Sequence, residues 1–113
     1  MSVDMKSRFR LELLHEITDV DDDNIDAIVH FDNGDSYGVT FFTRKNIFTL
    51  MEKWKKSGEN LNGAYFWSID CIIVEKLEYS LLEQVIADIP RFYDQIFKNH
   101  FTKISKETIP KPE

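Results

Sequence analysis

The dipeptide Asn33-Gly34 stands between two runs in which apolar and polar residues alternate, and no other feature of the chain narrows its fold so far. Both residues accept the positive φ of a two-residue type I′ turn, whose twist matches that of the strands it joins. Before the turn, Ile25, Ala27, Val29 and Phe31 alternate with Asp26, Ile28 and His30. After it, Ser36 to Phe42 places Tyr37, Val39 and Phe41 on one face and Ser36, Gly38, Thr40 and Phe42 on the other. From Arg8 to Thr18 the residues Phe9, Leu11, Leu13, His15 and Ile17 keep the same period of two. A three-strand antiparallel meander is therefore expected, its first connection being the acidic loop Asp19-Val20-Asp21-Asp22-Asp23-Asn24.

The period then changes. Thr43 is placed to cap a helix, Ile47, Leu50, Met51 and Trp54 recur at helical spacing, Lys53, Lys55 and Lys56 suit the negative end of its dipole, and Gly58 is placed to stop it. The spacing predicts a helix from Arg44 to Ser57. After the polar loop Glu59-Asn60-Leu61-Asn62-Gly63, the run Tyr65 to Glu75 predicts a strand buried on both faces. Ser80 with Glu83 has the form of a capping box, and Leu82, Val85, Ile86 and Ile89 predict a second helix that Pro90 ends. Tyr93, Ile96, Phe97, His100 and Phe101 predict a third helix, with His100 packed on its apolar stripe.

The order is β-β-β-α-β-α-α, an α+β domain over residues 1–104 with a flexible tail over 105–113. The sheet has about four strands, and the helices lie mainly on one face. Strand directions alternate through the meander and the helix reverses the chain. A fourth strand beside the first or third strand is then parallel to it.

The 113 residues and their 42% apolar content supply a core without staples, and the single Cys71, set among Ile69, Ile72 and Ile73, reads as a buried, inert thiol. No apolar run approaches the ~20 residues of a membrane span, and Met1-Ser2-Val3-Asp4-Met5-Lys6 has no signal-peptide core. A cytoplasmic protein without a membrane partner is expected. Asp19, Asp21 and Asp23 have the 1, 3, 5 spacing of a calcium loop, but Asn24 replaces the Gly of position six and His30 the Glu of position twelve. His15 and His30, even as cross-strand neighbours, lack a third ligand. The four Gly are scattered, no nucleophile elbow occurs, and the net charge of -6 opposes phosphate-backbone contact. No catalytic residue, metal or cofactor is assigned, and nucleic acid is not an expected partner.

Charge and aromatic residues carry the functional expectation. Between Arg10 and Arg44 there is no Lys or Arg but nine acidic residues. Of these, Asp19, Asp21, Asp22, Asp23, Asp26, Asp32 and Asp35 are the candidate contacts for a basic protein partner, which their field would steer. The segment Tyr65-Phe66-Trp67 with Asp70 supplies the competing reading, a small-ligand or enzymatic pocket at Trp67 and Asp70. Self-association through a free sheet edge, giving a homodimer, is compatible with either.

The stretch from Phe31 to Ile89 carries Asn33-Gly34, Phe41-Phe42-Thr43, Asn46-Ile47, Leu50-Met51, Gly63, Tyr65-Phe66-Trp67, Asp70 and Ile72-Ile73-Val74. This pattern resembles one in a small uncharacterised bacterial α+β family, and the size, acidity and architecture are similar to those of immunity proteins of bacterial toxin systems. The family resemblance implies a bacterial cytosolic α+β unit and no activity; the charge distribution makes a non-enzymatic interaction module, its acidic half binding a basic partner as a toxin-neutralising immunity protein would, the leading expectation. The resemblance implies no residue-level role.

Overall fold

A computed structural model describes residues 8–92 and 95–104; the expected tail over 105–113 and Tyr93 lie outside them. Three strands, β1 (Phe9–Leu13), β2 (Asn24–Phe31) and β3 (Ser36–Thr43), form the antiparallel meander, with Leu11 opposite Val29 and Ala27 opposite Val39. That register puts Leu11, Ile25, Ala27, Val29, Tyr37, Val39 and Phe41 on one face. There they bury against Leu82 and Ile86 of α2 (Tyr79–Phe92) and Phe97 of α3 (Ile96–His100). Each such side chain, fully buried, contributes on the order of 2 kcal/mol, so the meander and α2 form one hydrophobic unit.

Helix α1 (Arg44–Ser57) begins and ends where its sequence predicts: Thr43 accepts the amide of Asn46, and Gly58 closes the helix at φ 88°. A single turn, Glu59–Gly63, follows and winds left-handed at Asn60, Leu61 and Asn62 (φ 51°, 53° and 58°). Three consecutive non-glycine residues in that conformation cost roughly 1–2 kcal/mol each. Gly63, itself at φ 77°, holds the turn against α1: a Cβ there would lie 2.2 Å from the carbonyl oxygen of Met51. Phe42 points away from the main core and meets Phe66 edge-on at 4.9 Å, and Phe66 stacks on Trp54 of α1 at 6.1 Å.

The outer edge of β3 is divided between two short strands. β4 (Cys71–Val74) pairs parallel to Thr40–Thr43, and β5 (Thr102–Ile104) pairs antiparallel to Ser36–Gly38. The parallel placement of the fourth strand follows from the direction count. β5, by contrast, is three residues without a period.

Several features differ from the sequence reading. The β2–β3 turn is not the two-residue type I′ expected: Gly34 alone of the pair takes a positive φ (97°), its N–H bonds Phe31 C=O at 3.0 Å, and Phe31 N–H bonds Asp35 C=O at 2.8 Å, so Asp32, Asn33 and Gly34 form the loop and His30 pairs with Ser36. β1 ends at Leu13 because the chain leaves the sheet to carry the acidic loop across to the start of α1. The expected strand Tyr65 to Glu75 is regular only over Cys71–Val74, and it is an edge strand, with Ile73 54% exposed and not buried on both faces. Helix α2 starts before Ser80, since Leu82 N–H already bonds Glu78 C=O, and it runs two residues past Pro90. A proline in the last turn removes one hydrogen bond but leaves most of the helix unaffected. His100 is exposed at the end of α3, and His30 pairs with Arg10, not His15.

Candidate functional site

The acidic loop is built by its own carboxylates. Asp19 Oδ1 accepts the amides of Asp21 and Asp22 at 3.0 and 3.1 Å, closing a tight turn, and Asp23 accepts Thr18 Oγ1 at 2.9 Å on one oxygen and the Asn24 amide at 2.8 Å on the other. The loop is then fixed to α1. Asn46 Nδ2 and Thr49 Oγ1 donate to the two oxygens of Asp22 at 3.0 and 2.8 Å, while Asn46 Oδ1 accepts from Asn24 Nδ2 at 2.8 Å. Thr43, fully buried, exchanges hydrogen bonds with the Asp23 backbone, and Leu77 N–H bonds Val20 C=O at 2.8 Å from the other side. The bonds from Asn46 and then Thr49, with the Lys45 charge adding less, hold the Asp22 carboxyl below its ordinary value against a smaller desolvation penalty.

Sequence reasoning named the aspartates and missed Asn46. The signal was present, since Asn46 stands three residues after the Thr43 cap, where a capping box carries Glu or Gln. Its amide turns outward to the loop instead of back to its own helix end.

The remaining acids divide into two kinds. Asp26 accepts Thr40 Oγ1 at 2.8 Å across the sheet. Asp32 and Asp35, at the β2–β3 turn, lie 3.9 Å from Arg8 and 3.2 Å from Lys103. The turn-end pair is thus neutralised by cations. The donors to the carboxylates of Asp19, Asp22, Asp23 and Asp26 are uncharged, and among the described residues no Lys or Arg closes to ion-pair distance on these or on Asp21. These carboxylates turn to separate partners, and among the described residues no three His, Cys, Asp or Glu gather as a metal requires.

Trp67 is 73% exposed in the irregular segment before β4. Asp70, at φ 55°, joins the two edge strands: its C=O accepts the Thr40 amide at 2.8 Å and its carboxylate accepts the Thr102 amide at 3.0 Å. Cys71 is half-buried, and desolvation pushes its thiol up. A cleft of about 300 Å³ opens at the turn end, lined by Phe31, Tyr37, Phe97, Asp35 and Lys98 among others; neither Trp67 nor Asp70 is in its wall. No described helix is long and apolar enough to cross a membrane. No family model, no curated protein and no solved structure matches this chain.

Proposed function

We propose that this chain is a protein-interaction module that presents Asp19, Asp21, Asp22, Asp23 and Asp26 to a basic protein partner, in the role of a toxin-neutralising immunity-type protein. The observation that carries the reading is the way the loop is held. The carboxylates of Asp19, Asp22, Asp23 and Asp26 are fixed by uncharged donors, so their geometry is set while their charge stays available. A partner's Lys or Arg then meets a preorganised surface, and little ordering entropy is lost on binding. The field of several carboxylates on one short loop also speeds encounter at low salt.

The test compares three baits in a bacterial lysate. The first is the unaltered chain, the second carries Asp19→Asn, Asp21→Asn and Asp26→Asn, and the third carries Asp32→Asn and Asp35→Asn. Asp19 and Asp26 each accept through Oδ1, which asparagine retains, so the second bait loses charge without losing the bonds that shape the loop. A stoichiometric basic protein recovered at low salt by the first and third baits, and lost from the second, is the expected result. Equal recovery by all three, or retention indifferent to salt, would overturn the proposal.

A further inference from the structure

The face of the sheet opposite α2 carries a linked set of side chains that partner binding does not use. His30 and Ser36 are register partners on β2 and β3, and Glu12 lies on β1 two residues from Arg10, the residue opposite His30. Two residues along a strand return to the same face, so all three side chains share it. Ser36 Oγ lies 2.8 Å from His30 Nδ1, and Glu12 Oε1 lies 2.8 Å from His30 Nε2.

The direction of each bond follows from what each group can offer. An ionised carboxylate has lone pairs only, so a neutral imidazole bonded to it carries its proton on Nε2. Nδ1 is left as the acceptor, and the Ser36 hydroxyl is the donor to it. A hydroxyl within reach of a base, and a base oriented by a third group, is the arrangement that makes a serine oxygen nucleophilic.

The neighbours of Ser36 on this face follow from the register. Gly38 is the next residue of β3 on this face, and its cross-strand partner is Ile28. A Cβ added at Gly38 would lie 3.6 Å from Cδ1 of Ile104, which pairs with Ser36 from β5. The end of the Ile104 side chain thus lies over Gly38, and with Ile28 it gives Ser36 apolar neighbours on this face.

We infer that Ser36 is a base-activated hydroxyl that accepts an acyl group from small activated esters, with His30 as the base and Glu12 orienting it. In the step, Ser36 Oγ bonds to the ester carbonyl carbon as its proton passes to His30 Nδ1. The bond from that carbon to the leaving oxygen then breaks, the alcohol or phenol oxygen departs with the electron pair, and His30 returns the proton to it or to water. The products are O-acyl-Ser36 and the free alcohol or phenol. This inference stands apart from the partner-binding reading, since it uses none of the loop aspartates.

The probe is p-nitrophenyl acetate on the intact chain, read by peptide mass mapping over time. Ser57 and Ser80, both exposed, serve as internal references on the same molecules. Acetylation of Ser36 is expected to outrun both by about 100-fold, the lower range of general-base assistance. His30→Gln is expected to bring Ser36 down to the reference rate, and Glu12→Gln to lower it part of the way. The wild-type ratio needs no variant to fold, and in urea it is expected to collapse to near one. Acetylation of Ser36 at the reference rate in the folded chain, labelling confined to lysines, or a ratio unchanged in folded His30→Gln would each overturn the assignment.

Discussion

The two ends of the β2–β3 ribbon are both acidic, yet they hold their carboxylates in opposite ways. At the turn end, Asp32 and Asp35 face Arg8 and Lys103, long exposed cations whose pairing cancels charge. Such pairs are typically worth 0–1 kcal/mol, because solvent screens them and two flexible side chains must be ordered. At the loop end, Asp22 and Asp23 take donors from Thr18, Asn46 and Thr49, and the scaffold behind them includes the buried Thr43 and Asn46. Among the described residues no Lys or Arg pairs with the charge there, and hydrogen bonds set the geometry. Identical residues thus give a neutral, loosely held end and a charged, fixed end, a difference that counting acids does not reveal.

The strongest way to break this contrast is to remove the scaffold. Asn46→Ala deletes a buried amide that bonds both Asp22 and Asn24, and a loss of about 2 kcal/mol is expected from the denaturant midpoint. A change under about 0.5 kcal/mol, the size of an ordinary surface substitution, would mean that the loop holds itself. A smaller effect sharpens it through acid. The Asp22 carboxyl is lowered in the folded state, so its contribution is complete above the unfolded-state value and is lost as pH falls through the folded one. The stability gap between wild type and Asn46→Ala is accordingly expected to narrow on acidification into that range; a gap of constant width would remove Asp22 from the account. The smallest effect belongs to the turn end. Asp32→Asn with Asp35→Asn is expected to shift stability by no more than about 0.5 kcal/mol and to lessen its dependence on salt, which thermal melts at low and high ionic strength would check.

Much of the fold was legible because its signals are local. Asn33-Gly34 marked the place of the hairpin but not its turn type or register, and the Thr43 cap with the Gly58 stop bounded α1 to the residue. The parallel fourth strand followed from counting directions alone. What was not legible depends on residues far apart in the chain. β5 has three residues and exists because β3 leaves half an edge free. Tyr65 to Asp70 has strand-like composition, but the left-handed turn before it and the positive φ of Asp70 take it off the ladder. At the candidate site the aspartates were visible as a charge run, whereas their division into paired and unpaired acids was set by Arg8, Lys103 and Asn46. The Glu12, His30 and Ser36 array was not legible: a two-residue turn at Asn33-Gly34 would set His30 opposite Tyr37, the longer turn that forms sets it opposite Ser36, and the reach of Glu12 across to His30 depends on how β1 pairs.

The divided edge of β3 has a consequence in time. The meander pairs neighbours along the chain and can form as soon as Thr43 is synthesised, and β4 follows once α1 has turned the chain back. Ser36–Gly38 must wait for Thr102–Ile104, more than sixty residues further along the chain, with a long loop still to be closed. During that interval half of a central strand is an open ladder, the kind of edge that recruits other chains. Asp70 likewise lacks the Thr102 amide until then. A nascent chain stalled before β5 is therefore the form most exposed to mispairing, and the joint at Asp70 records when that exposure ends.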